Sequence, residues 1–175
     1  MTPSVSGTAF PTTSPSGGGS RPTASAPLDT PTPGSVDQTV EAKPQTTSSP
    51  IKLKSPYRAA GVEVALTSIR RLQMKGMGPG EISGPALRMT VRVSNYTDTA
   101  ISIDSAVVNL TDSKGRVGTP YAGSPARPLA GTIDAGRKAT GVYVFSVKKS
   151  ARSPIAVTVT YEPGAETALF VGNAS

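Results

Sequence analysis

The stretches whose residue types could do chemistry are few, and each lacks a necessary partner. GMGPGEISGP (76–85) is glycine-rich, as phosphate-cradling loops are, yet neither a Lys-Ser/Thr pair nor a helical pattern follows it. The cation and the helix N-terminus that hold phosphate are therefore missing. It reads as a loop joining two strands, with Met74 and Met77 packing over a sheet end. Ser146 and Lys149 spell Ser-x-x-Lys, but serine nucleophiles of that spacing open a helix, whereas this one closes a strand-like run. The carboxylates past the first third are Glu63, Glu81, Asp98, Asp104, Asp112, Asp134, Glu162 and Glu166. Asp98, Asp104 and Asp112 fall on separate turns or strands, not at the alternate positions of a calcium loop. An acid pair for glycoside hydrolysis would have to meet across loops, which no local spacing supports. His, Cys and Trp are absent. That removes His-dependent triads, thiol nucleophiles, disulfides, zinc sites built on Cys or His, and haem or iron–sulfur ligation by those residues. No catalytic residue, cofactor or metal is expected, and the chain is not read as an enzyme.

Its basic residues carry more information. The formal charge is +7. Arg70 and Arg71 end a strand with Lys75 in the loop beyond, and Lys148, Lys149 and Arg152 form a second group in a turn. Clustered on one face, these six could contact a protein or an anionic cell-envelope polymer, with affinity that falls as salt rises. Scattered, they are a solvated surface that guards sheet edges. Nucleic acid is not the expected partner, because stacking needs aromatics among the charges and only Tyr96 and Tyr121 are placed to help. Three Asn-x-Ser/Thr triplets, at Asn95, Asn109 and Asn173, would matter only in a secretory pathway that glycosylates them.

The elements that position these residues repeat with period two. In ALRMTVRVSN (86–95), Leu87, Met89, Val91 and Val93 face one way while Arg88, Thr90, Arg92 and Ser94 face the other. Similar strands are read at GVEVAL (61–66), AISIDSAVVNL (100–110), GVYVFSVK (141–148), PIAVTVTYE (154–162) and ALFV (168–171). Turn signals separate them at NYTDT (95–99), TDSKGR (111–116), DAGRKA (134–139) and PGAE (163–166). No stretch sustains a three-four repeat, so crossover helices are lacking. The expectation is an all-β fold, an antiparallel immunoglobulin-like β-sandwich of about seven to eight strands preceded by a disordered tail.

Composition changes near residue 57. Ten of the seventeen prolines lie in the first 56 residues, which are otherwise dominated by Thr, Ser, Ala and Gly. Such a segment buries too little apolar surface to offset the roughly 1–2 kcal/mol per residue of ordering its backbone. Residues 1–57 are read as a disordered Pro/Thr/Ser-rich stalk or linker and 58–175 as the sandwich domain. No run is long and apolar enough for a membrane span, and MTPSVSGTAFP lacks the basic start and apolar stretch of a signal peptide.

The succession ALRMTVRVSNYTDTAISID, a strand ending LTDSKGR, and GTIDAGRKATGVYVFSV resembles an immunoglobulin-like domain family of bacterial surface lipoproteins and membrane-anchored proteins, related to the immunoprotective extracellular proteins. The likeness spans about residues 61–171 and rests on Val93–Asn95, Leu110–Gly115, Ala135–Gly136, Gly141 and Phe145. These residues shape turns and strands and do no chemistry. The resemblance implies an extracytoplasmic location, at the cell surface or secreted, and an anchor to be sought upstream of Met1. The functional expectation is a non-catalytic binding or adhesion module on a flexible stalk. Alternatives are a structural spacer or assembly subunit pairing through an exposed sheet edge, and polyanion binding through the basic loops.

Overall fold

Alternation along residues 84–95 sets the architecture. The computed structural model describes residues 44–75 and 83–174. In chain order its strands are β1 (Ile51–Lys52), β2 (Tyr57–Ala59), β3 (Val62–Met74), β4 (Gly84–Asn95), β5 (Ile101–Ser102), β6 (Val107–Thr111), β7 (Thr119–Pro120), β8 (Thr132–Ile133), β9 (Lys138–Ser146), β10 (Ile155–Thr160) and β11 (Ala168–Gly172). The one helical element among the described residues is a 3₁₀ turn at Lys149–Ala151.

Five strands form one sheet in the order β2-β3-β4-β9-β7, four form another in the order β1-β11-β10-β6, and β5 pairs with β8. Leu87, Met89, Val91 and Val93 of β4 share a single buried cluster with Val108 and Leu110 of β6, Val157 and Val159 of β10, and Phe170 of β11. The two sheets thus press their apolar faces together, as the all-β sandwich expectation required. Burying each such side chain contributes about 1.5–3 kcal/mol relative to leaving it exposed.

Several expectations are corrected. The fold does not begin at residue 58: Thr47 bridges Thr167, β1 pairs with β11, and Leu53 is only 7% exposed. Short apolar residues in a Pro-rich context gave no periodic signal, yet a sheet edge supplies them with backbone partners. The stalk reading for residues 1–43 lies outside the described residues, as does Met77 in the glycine-rich loop. The sandwich is not wholly antiparallel, because β1 runs parallel to β11; strands so far apart in sequence are free of a hairpin's constraint. AISIDSAVVNL is not one strand. A turn at Asp104–Ser105 divides it, where the Asp104 carboxylate accepts the Gly131 N–H at 2.6 Å and Ala106 N–H bonds Ile103 O.

One irregularity decides where the arginines go. β3 carries an extra residue opposite β4, with Leu66 aligned to Val91 and Ser68 to Thr90, so Thr67 bulges. Past the bulge Ile69 aligns with Met89 on the inner face, Arg70 with Arg88 on the outer face, and Arg71 with Leu87 on the inner side. Without that extra residue the two arginines would exchange faces.

Candidate functional site

At one end of the sandwich, β3 and the segment that follows β9 bring three cations to one cleft of about 480 Å³, lined by Arg71, Leu72, Gln73, Lys149, Arg152 and Ser153. β9 stops at Ser146, and the 3₁₀ turn folds Arg152 back beneath the sheet end. Arg152 is 5% exposed. Its Nε and Nη2 donate to Val147 O at 3.4 and 3.2 Å, and Nη2 also donates to Ala86 O at 3.2 Å. Burial first, and then the charge of Arg71, pull its pKa below the ordinary arginine value. Among the described residues, no carboxylate lines the cleft. Carbonyl dipoles offset only part of the cost of burying a guanidinium, which is about several kcal/mol for an unpaired ion. The exposed side chains of Arg71 and Lys149 are left to meet an anion, with the buried Arg152 charge behind them.

A second recess of about 910 Å³ meets the first at Arg71 and runs beside β3, past Lys54, Arg58, Arg92 and Asn173. The one carboxylate that the described residues bring to it, Glu63, is 4% exposed and committed: Oε2 accepts Arg58 Nε at 2.7 Å and Oε1 accepts Arg92 Nη2 at 3.3 Å. The Arg58 hydrogen bond, above all, holds the Glu63 carboxyl below the usual range. Arg88 and Arg92 bury their Nε atoms with no hydrogen-bond partner among the described residues. The wall opposite β3 is continuous, since Ala174 N–H bonds Arg152 O at 3.0 Å.

Of the six cations singled out by sequence, Arg71, Lys149 and Arg152 therefore come together. Arg70 lies on the outer face beside Arg88, Lys75 is exposed beyond the end of β3, and Lys148 is exposed before the 3₁₀ turn without lining the cleft. Lys54 and Arg58 were missed, and Arg92 was noted beside Arg88 on an exposed strand face but left out of the six. Arg92 had a signal in its place on the wet face of β4, whereas Lys54 sat in the supposed stalk and Arg58 at its boundary.

Other residues with chemical potential serve the fold. Asp112 accepts Lys114 N–H at 2.8 Å and Arg116 N–H at 3.0 Å, and pairs with Arg116 Nη2 at 2.7 Å. These bonds, the Arg116 side chain first, lower its pKa to about 2. Tyr57 donates its hydroxyl to Glu166 at 2.6 Å, and burial together with that carboxylate raises the phenol's pKa. Asn95 is 0% exposed, so its triplet is closed to any modifying enzyme in the folded state, while Asn109 and Asn173 are exposed. Among the described residues, no three carboxylates gather where they could hold a metal.

No protein-family model matches the chain, and no curated protein matches it in sequence. Solved structures do. The yjhA protein of Bacillus subtilis superposes with a TM-score of 0.54 over 68% of this chain and 97% of its own, at 19% identity. A candidate lipoprotein of the same organism, ycdA, gives 0.53 over 69% of this chain at 13% identity, and this chain spans only 39% of its length. The secreted protein MPT63 of Mycobacterium tuberculosis gives 0.48 at 16% identity, over 73% of this chain and 99% of its own. The chain shares the β-sandwich fold of yjhA and ycdA.

Proposed function

We propose that the chain is a non-catalytic binding module that works outside the cytoplasm and grips an anionic group on its partner, a protein or a cell-envelope polymer, through the recesses that meet at Arg71. The observation that carries this reading is Arg152, a buried guanidinium bonded to carbonyls and joined by Arg71 and Lys149 in a cleft to which the described residues bring no carboxylate. The Pro/Thr/Ser-rich first third supports display at a distance from a surface. The fold shared with ycdA, a candidate lipoprotein, agrees with that location.

Titration of the full chain with a heparin-type and a teichoic-type polymer over a range of salt concentrations tests the site. Affinity should fall as salt rises, and Arg71→Ala combined with Lys149→Ala should make the slope of log K against log salt shallower by about 1 per cation removed. An affinity that stays flat with salt would refute the reading. For the compartment, fractionation of native cells should find the protein outside the cytoplasm, and recovery in the cytoplasmic fraction would refute that part.

A further inference from the structure

The five-stranded sheet has two edges, and they are treated differently. The β9 edge is covered: β7 pairs with it, Tyr121 N–H bonds Val144 O, and Arg127 and Val142 exchange backbone bonds at 2.8 and 2.7 Å. The β3 edge is covered by β2 only at Val62–Val64. From Ala65 to Met74, no described strand pairs with its open side. At about 3.3 Å per residue, the regular stretch Ser68–Met74 beyond the bulge spans roughly 23 Å, longer than a typical strand of five or six residues. Both basic recesses lie along this edge, walled on the far side by Leu53–Pro56, Asn173–Ala174 and the segment ending at Ser153.

We infer that this trough takes an extended, acidic polypeptide segment of a partner protein, added as a further strand to β3 between Ser68 and Met74. This deepens the reading of the chain as an anion-gripping module and rests on it. Two observations select the occupant. The open backbone donors and acceptors of β3 alternate at the spacing of a peptide backbone, which the hydroxyls and phosphates of a sugar or polyol phosphate chain do not repeat. Among the described residues, the flanking cations Lys54, Arg71, Lys149 and Arg152 face no free carboxylate, so they complement acidic side chains on the incoming strand. A second copy of this chain fits poorly, because antiparallel pairing of two such edges would crowd Arg70 and Arg71 against their own duplicates at the centre.

The test uses the full chain and three probes: a panel of seven-residue peptides alternating Glu or Asp with Val or Thr, the same peptides N-methylated at alternate residues, and heparin. Amide hydrogen exchange and affinity are read together. The acidic peptides should slow exchange of alternate amides in Ser68–Met74 at least tenfold. N-methylation should weaken binding at least tenfold, and heparin should bind without protecting those amides. Heparin binding while no peptide protects the edge would overturn this inference and leave the anion site standing. Peptide binding indifferent to N-methylation would overturn it as well, by reducing the contact to charge. Protection that appears without any probe as protein concentration rises would assign the edge to a second copy instead. Failure of all probes to bind would remove the anion site and this inference together.

Discussion

Asn95→Asp keeps the size of a side chain and reverses half of its hydrogen bonding. Nδ2 of Asn95 donates to Thr99 O at 2.7 Å and Ile133 O at 3.0 Å, while Oδ1 accepts Thr97 N–H at 3.0 Å and Thr97 Oγ1–H at 2.7 Å. The amide's two donors and two acceptor sites are all used, in full burial, at the point where the end of β4 is tied to the end of β8. In the variant, an acceptor oxygen faces two carbonyl oxygens. Ile133 O, whose bond is buried, loses its side-chain donor at a cost of about 1–3 kcal/mol at pH 7, whereas the exposed Thr99 O still has the Thr97 hydroxyl at 2.9 Å, and the added negative charge pushes the loss toward the upper end. Against a total stability of about 5–15 kcal/mol, that is a large fraction. The pH dependence has a definite sign. Burial beside two carbonyls raises the introduced carboxyl's pKa above its unfolded value of about 3.9, so the variant is least impaired below about pH 4, where the protonated acid donates to one carbonyl. It loses stability as pH climbs toward the folded-state pKa. Urea unfolding of both proteins at pH 4 and pH 7 measures this. A pH 7 difference under about 0.5 kcal/mol, or a difference that grows on acidification, would refute the argument that these four bonds fasten the turn.

Gly141→Ala should cost about 1–3 kcal/mol in urea unfolding, because a Cβ there would stand 2.7 Å from Leu129 N and 2.8 Å from Leu129 Cγ, where a backbone segment rather than a flexible side chain must yield. Leu53→Ala should cost about 2–4 kcal/mol by the same assay if the fold begins before residue 58, whereas a value near zero would return Leu53 to the linker. The Asp112 carboxyl has a depressed pKa of about 2, so its contribution is complete above the unfolded pKa of about 3.9 and fades as pH falls through the folded value. Wild type should therefore exceed Asp112→Asn in urea midpoint at pH 6, and the gap should close toward pH 2. A gap that persists at pH 2 would assign the effect to the turn's geometry rather than to the charge.

Legibility differed among particular elements. β4, β10 and β11 were plain in the sequence, because each buries alternate side chains in one core and the pleat forces period two on such a strand. β1, β2, β7 and β8 were not, because two or three residues carry no periodicity and gain their structure from the strand beside them. The Asp112 turn was readable since its bonds are local, reaching only to Lys114 and Arg116. Arg152 was readable as a cation and not as a buried one, since Ala86, a partner 66 residues away, supplies one of its acceptors.

The residues alone determined an all-β chain without histidine or thiol chemistry, with a Pro/Thr/Ser-rich first third and an excess of positive charge, because composition and short-range alternation are properties of the chain itself. Tertiary structure alone decided which cations meet. The bulge at Thr67 turns Arg71 and not Arg70 toward the cleft, and the 3₁₀ turn after β9 carries Lys149 and Arg152 to it. Strand register and long-range pairing fix such meetings, and neither is written in the spacing of the residues that meet.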